Sequence, residues 1–225
     1  MKESGCKSVN GFHVNRIAYE DTKDFILKKH YAQRMPSISY AFGLFKDSTM
    51  VGVLTIGKPA SPNLCTGLLG SEHAHRVYEL NRLVTEDGLG RNVLSFFVGK
   101  VLRMLRNEDI VIVSFADEGV GHHGYIYQAT NFIYTGKTKE RTDKYMPGNK
   151  HPRHYTEEYK HLRKVRTPKH RYVFFTRKSR RLKKQLKYPI LPYPKGVNRN
   201  YVLGELIRPL IIDTRTGETF YEDVN

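Results

Sequence analysis

Four stretches of this chain gather residue types that could do chemistry. The first is His30-Tyr31, followed by Arg34-Met35-Pro36. A His at the end of a helix is favoured by the helix dipole whatever its role, so this pair means little alone. The second is Glu79-Leu80-Asn81-Arg82-Leu83-Val84, continuing as Thr85-Glu86-Asp87-Gly88-Leu89-Gly90-Arg91-Asn92. It reads as a strand entering a helix through a Gly-containing turn. Such a turn presents free backbone N–H groups and the positive end of a helix dipole, and Gly88 and Gly90 let a ligand come close. A phosphate could sit there beside Arg82 or Arg91. An ordinary tight turn with solvated charges fits the same residues, and no Gly-Lys-Ser/Thr follows, so it is not a Walker loop.

The third stretch is Ser114-Phe115-Ala116-Asp117, then Gly121-His122-His123-Gly124-Tyr125-Ile126-Tyr127. Asp117 falls just past a buried-strand pattern, at the edge where open α/β sheets place ligands. An acid beside His and Tyr could do acid–base work or hold a metal. It could equally cap the next helix. The fourth is His151-Pro152-Arg153-His154, with His161 and His170 further on. Its spacing is too loose for a zinc site, and Cys6 and Cys65 are far away, so it reads as a charged surface that contacts DNA.

The elements that must position these residues follow from apolar spacing. Asp21–His30 reads as a helix, Ser39–Phe45 and Met50–Ile56 as a hairpin around Lys46–Thr49, and Val77–Val84 as a strand. Asn92–Arg106 is the strongest helix. Leu94, Phe97, Val98, Val101, Leu102 and Leu105 form one stripe, while Val93 and Phe96 lie off it and predict burial on more than one side. Ile110–Phe115 reads as a buried strand, His122–Asn131 as a short helix and Phe132–Gly136 as a strand. This alternation predicts an α/β (α+β) fold, a mixed sheet flanked by helices.

Charge divides the chain. Its 225 residues carry 38 Lys and Arg against 22 Asp and Glu, a net charge of +16. That excess points to a polyanionic partner, nucleic acid or an acidic membrane surface. Between Lys137 and Lys187 stand 19 Lys and Arg against only Glu140, Asp143, Glu157 and Glu158. Residues 1–136 therefore read as the folded centre and 137–187 as a basic extension packed on it. Residues 188–225, opening on Pro189, Pro192 and Pro194, read as an extended tail. Within the extension, Arg163, Lys164, Arg166, Arg177, Lys178, Arg180, Arg181, Lys183 and Lys184 are the candidate DNA contacts. Tyr155, Tyr159, Tyr172, Phe174 and Phe175 interleave with them, as in proteins that stack on bases. Tyr172–Phe175 reads better as a core strand. No run of eighteen apolar residues is present, which predicts no membrane span, and the N-terminus lacks a signal peptide's apolar segment. Two cysteines cannot make a disulfide scaffold, so a cytoplasmic protein is expected.

Taken in order, these blocks resemble the Mom family of bacteriophage DNA-modification proteins over roughly residues 20–140. The matching pieces are His30-Tyr31, Glu79–Leu83, Leu89-Gly90-Arg91-Asn92, Val113–Asp117 and Gly124–Phe132 with Thr135-Gly136. The resemblance implies a variant of the GNAT N-acetyltransferase fold. It also implies a phage- or prophage-encoded enzyme in the bacterial cytoplasm. That enzyme converts the N6 amine of adenine in double-stranded DNA to a carbamoylmethyl derivative and so protects the DNA from restriction. The positions it carries over are His30, Tyr31, Arg82 and Asp117 as catalytic residues. Arg82, Gly90, Arg91, Asn92 and Ser95 would hold the group donor. It raises iron as a cofactor, with His30, Tyr31 and Asp117 as an O/N ligand set. The donor is open. Acyl-CoA is one candidate, but the fold's usual Gln/Arg-x-x-Gly-x-Gly/Ala loop is here Thr85–Gly90 with two acids inside. Moreover, attack on a thioester carbonyl gives an amide, whereas this product has an N–CH2 bond. The competing expectations are an acyltransferase acting on a protein or RNA amine, and a DNA-binding protein without catalysis. The oligomeric state is left open, a homodimer included.

Overall fold

The computed structural model describes residues 9–147, 156–197, 203–205 and 207–222. The His151–His154 stretch, Tyr155 and Cys6 lie outside them. Seven strands make the main sheet: β1 (Phe12–Arg16), β2 (Tyr40–Lys46), β3 (Thr49–Gly57), β4 (Val77–Thr85), β5 (Val111–Asp117), β6 (Ile133–Lys137) and β9 (Lys169–Phe175). Their order is β1-β2-β3-β4-β5-β9-β6. β4 and β5 run parallel, joined by the crossover helix α2 (Val93–Met104) that parallel pairing requires. The other neighbours described run antiparallel.

One face of the sheet packs on α2. Phe97, Val98, Val101 and Leu105 are fully buried there against Phe42, Leu54, Ile56 and Ile112. Burying each such side chain contributes about 1.5–3 kcal/mol. Val93, off the stripe, is also buried, so the helix is indeed covered on more than one side. The opposite face packs on α1 (Pro62–Leu69) through Cys65, Leu68 and Leu69, and, nearer β3, on Phe25 and Ile26.

Several elements differ from the sequence expectation. The first helix is a 3-10 turn at Glu20–Thr22, where the Thr22 hydroxyl donates to the Tyr19 carbonyl, followed by a π turn at Phe25–Lys29. His30 closes that wide turn, its N–H bonding the Phe25 carbonyl at 2.9 Å. β1 and α1 were not anticipated. The expected boundary at residue 136 does not divide the sheet, since β9 lies inside it between β5 and β6. Part of the basic stretch, Arg141–Lys144 and Leu162–Arg166, joins a second, four-stranded sheet in the order β11-β10-β8-β7, made of β7 (Arg141–Lys144), β8 (Leu162–Arg166), β10 (Leu210–Asp213) and β11 (Thr219–Tyr221), while Arg177–Lys184 lies outside both sheets. Among the described residues the tail also supplies two strands of the second sheet. No helix among the described residues is long and apolar enough to cross a membrane.

Candidate active site

The parallel ladder between β4 and β5 is short. It pairs Val77 with Val111, Tyr78 with Ile112 and Glu79 with Val113, and stops. Beyond Glu79 the two strands part, and the Ser114 hydroxyl bridges to the Leu80 carbonyl at 2.9 Å. Tyr127, from α3 (Tyr125–Ala129), bonds Ser114 in turn. The gap opens a cavity of about 1060 Å³ lined by His30, Tyr31, Glu79, Arg82, Tyr127 and Lys169, among others.

A bulge aims the strand. Thr55 of β3 faces Arg82 while the next residue, Ile56, faces Leu80, so Asn81 is the extra residue in β4. Leu80 and Leu83 pack with the α2-side core, Val77 and Val84 with the cores of the opposite face. Without the bulge, Glu79 and Arg82, three apart, would point to opposite faces. With it, both face the cavity. Asn81 also holds the loop after His30, donating from Nδ2 to the Ser37 carbonyl at 2.8 Å. Arg82 donates from Nε and Nη2 to the Arg34 carbonyl, at 3.2 and 2.8 Å, and from Nη1 to the Asn81 carbonyl. Gly57 is the floor of this arrangement: a Cβ there would stand 1.8 Å from the Ser37 carbonyl oxygen.

Burial controls the charges. It pushes the His30 pKa down to about 3, with Arg82 and His122 adding to the effect, so this ring is neutral. The Tyr31 ring stacks on His30 at 4.3 Å, and burial with Asp117 nearby raises its phenol. Burial raises the Glu79 carboxyl too, and Arg82 and Lys169 only partly pull it back. Asp117 is the opposite case. Burial would raise it, but Lys169, Thr167 and the Gly119 N–H together hold it below its usual range. One carboxylate oxygen accepts from Thr167 at 2.6 Å and from Gly119 at 3.0 Å; the other meets the Lys169 ammonium at 2.5 Å.

The sequence-predicted residues are thereby largely brought together. His30, Tyr31, Arg82, Gly90, Asn92 and Ser95 line the cavity, and Asp117 stands behind its wall, holding Lys169. Arg91 is exposed and does not line it. Asn92 precedes α2 in the left-handed region, φ 66°, and no side chain caps the helix, so its first N–H groups are open towards this end of the cavity. Glu86, one of the two acids in the turn, is neutralised by Lys29. Sequence reasoning gave no role to Glu79 or Lys169. The signal for Glu79 was present, an acid in a strand whose Val77, Leu80, Leu83 and Val84 are apolar, but its burial was not.

The nine basic candidates separate. Arg166 lines this cavity and pairs with Asp143 at 2.7 Å. Arg163 and Lys164 belong to β8, where burial lowers the Lys164 pKa. Arg181 is bound to Asp109, and Lys178 and Lys184 are exposed. Arg177, Arg180 and Lys183 line a second cavity on the α2 side.

The three residues that the resemblance assigns to iron do not fit a resident metal as arranged. The Ala32 N–H donates to His30 Nδ1 at 3.0 Å, so the neutral ring carries its proton on Nε2 and neither nitrogen is offered to a metal. The Asp117 oxygens are taken by an ammonium, a hydroxyl and an N–H. Among the described residues no group of three or more His, Cys, Asp or Glu is placed to hold a metal.

A mixed sheet flanked by helices, with a ligand-sized cleft where two parallel strands part, defines the class: an α/β protein with its site at the carboxyl ends of the central strands. The chain belongs to the Mom protein family, whose model matches residues 11–195. It is 34% identical over 127 residues to the methylcarbamoylase mom of Escherichia phage Mu. That match covers 55% of this chain and 53% of the relative, so the chain spans about half the length of the curated relative it matches. Among solved structures it is similar to a ribosomal-protein-S5-alanine acetyltransferase from Vibrio fischeri, at 9% identity and a TM-score of 0.47, over 75% of this chain and 95% of that one. An N-acetyltransferase from Staphylococcus aureus Mu50 is similar at 12% identity and a TM-score of 0.46, over 73% and 98%.

Proposed function

We propose that this protein is a DNA-modifying transferase that places a carbamoylmethyl group on adenine N6 and so shields phage DNA from host restriction. The observation that carries the reading is the single cavity that collects His30, Tyr31, Glu79 and Arg82 from separate family-matching blocks. The base must leave the stack to reach it, at about a few kcal/mol. N6 forms the new N–CH2 bond, the donor's leaving group departs with the bonding electrons, and the N6 proton goes to a base. Glu79 is that base, since its carboxyl is buried in the cavity and has no ion pair among the described residues. Asp117 acts by fixing the Lys169 ammonium against the cavity wall. Arg82, already held by two carbonyls, keeps N–H groups for a carbonyl-bearing or anionic donor. No step needs a metal. DNA is the partner, and the bacterial cytoplasm is where phage DNA would be met.

Mass spectrometry of nucleosides from plasmid DNA, after expression in a bacterium, tests this. A deoxyadenosine adduct of carbamoylmethyl mass, lost in Asp117→Ala, is the expected result. Unmodified deoxyadenosine from a soluble, DNA-binding protein would sink the proposal. A second reading, acyl transfer from acyl-CoA, draws on the uncapped α2 N-terminus and the neutralised Glu86, which make the turn more hospitable to a pyrophosphate than its sequence suggests. Calorimetric titration with acyl-CoA decides between the two.

A further inference from the structure

A second cavity, of about 1080 Å³, runs along α2. It shares Asn92, Ser95 and Ala129 with the first, so the two are contiguous. Its polar lining is one-signed: Arg103, Arg106, Arg177, Arg180 and Lys183, with no carboxylate. None of the five makes a side-chain hydrogen bond or ion pair among the described residues.

The row of three comes from helix geometry. The segment Arg180–Gln185 is a 3-10 helix, and an i→i+3 turn from Thr176 to Ser179 leads into it. At three residues per turn, every third side chain eclipses the last, about 6 Å further along. Ser179 and Leu182 make one such row, both buried. Arg181 stands in a second row, on Asp109. Arg177, Arg180 and Lys183 make the third, which faces the groove. The Ser179 hydroxyl bonds the Ile110 carbonyl at 2.7 Å and Thr176 the Glu108 carbonyl at 2.7 Å, so this row is fixed to the loop that follows α2. Arg103, in the last turn of α2, and Arg106, in the turn just past it, form the facing wall. Cations at a helix C-terminus are favoured by its dipole. The dipole does not account for three more opposite them with no acid between.

We propose that this groove seats the phosphodiester backbone of the nucleic acid whose base enters the neighbouring cleft. The three-residue row is about 12 Å long, and a DNA strand carries a phosphate about every 3.4 Å along its axis, so the row spans three or four phosphates. A partner of that chemistry neutralises all five cations, while the shared Asn92–Ser95 end leads the chain towards the reacting base. The inference rests on the DNA reading above but is judged on binding alone.

The test is fluorescence anisotropy of the full chain with a duplex oligonucleotide over a range of salt. Each lost phosphate contact lowers the slope of log K against log salt by about 0.9. The Arg177→Gln/Arg180→Gln/Lys183→Gln protein is expected to lose about 2.7 from the slope, and Arg103→Gln/Arg106→Gln about 1.8. Lys23→Gln, an exposed cation outside both cavities, should lose none. The double variant changes only two exposed side chains, Arg103 in α2 and Arg106 in the turn just after it, and keeps the test alive if the triple one misfolds. Unchanged slopes in a variant whose circular dichroism matches the wild type overturn the proposal. So does an unchanged slope combined with protection by inorganic pyrophosphate against thermal unfolding that the triple variant loses; the groove would then hold a small anionic ligand. A wild type that forms no adduct, yet loses slope in these variants, removes the modification reading and leaves the groove.

Discussion

The two cavities meet at Asn92, Ser95 and Ala129 and are built on opposite electrostatic plans. In the cleft most cations are tied, Arg82 to the Arg34 and Asn81 carbonyls, Lys169 to Asp117 and Arg166 to Asp143, and among the described residues the exposed Lys139 alone lines it without a hydrogen bond or ion pair of its side chain. In the groove five cations stand without side-chain partners among the described residues. Fixed, half-buried charges need no reorganisation when a reaction develops charge, which suits chemistry. Exposed unpaired charges act at a distance and are screened by salt, which suits capture of a polyanion. The contrast teaches that this protein's high net charge is not one property. Part of it is neutralised locally to shape a site, and only the rest is free to attract.

The sharpest way to break the comparison is Glu79→Gln. Loss of a general base costs about 10²–10⁴ in rate. Adduct formation should fall by that much, with DNA affinity and salt slope unchanged, measured by nucleoside mass spectrometry and anisotropy. A variant that still modifies DNA at the wild-type rate would take Glu79 out of the cleft's chemistry. Gly57→Ala comes next. Its Cβ cannot coexist with the Ser37 carbonyl, so the loop that carries His30 and Tyr31 must move. Overpacking of this kind costs about 1–3 kcal/mol, readable as a lower denaturant midpoint together with a loss of adduct. The groove should keep its salt slope.

A smaller effect is the acid sensitivity that the neutral His30 confers. Its folded pKa, about 3, lies below the ordinary value of about 6.5. The unfolded chain therefore binds the extra proton in that window, and the stability that His30 contributes above it is lost as pH falls. The slope is at most about 1.4 kcal/mol per pH unit, and His30→Gln should flatten it in urea melts at stepped pH. The smallest effect belongs to Arg181→Gln. Asp109 keeps Arg76, and the Arg181 side chain is largely exposed, so stability should change by less than about 1 kcal/mol. A larger drop would mean that this ion pair, not Ser179 and Leu182, holds the 3-10 row in place.

Much of this was legible in the residue pattern where a single element sufficed. The α2 stripe and the strands at Val77, Ile110 and Phe132 emerged close to their observed bounds, because their apolar spacing is local. β1 was not legible: Phe12–Arg16 alternates weakly and sits at the sheet edge. α1 was hidden by Thr and Gly inside a short helix that starts on Pro62. The second sheet was hidden by charge. Leu-Arg-Lys-Val-Arg and Arg-Thr-Asp-Lys read as solvated runs, and only their pairing with each other, and of the first with Leu210–Asp213 nearly fifty residues on, makes them strands. The site divides the same way. Its residues could be named, but the partners that set their chemistry, Lys169 on Asp117 and the Arg34 carbonyl on Arg82, are facts of three-dimensional neighbourhood.

The extra residue at Asn81 has a consequence for length as distinct from identity. β4 works like a two-stroke sequence with one beat added, and everything after the added beat depends on the count. Removing Asn81 would close the bulge: Leu80 and Arg82 would become neighbours opposite Ile56 and Thr55, and Arg82 to Thr85 would keep their faces. Replacing it would leave the phase intact and remove only two side-chain bonds. Between Leu80 and Arg82, therefore, this chain should accept the loss of the extra residue far more readily than the addition of another, which would turn Arg82 to Thr85 over as a block.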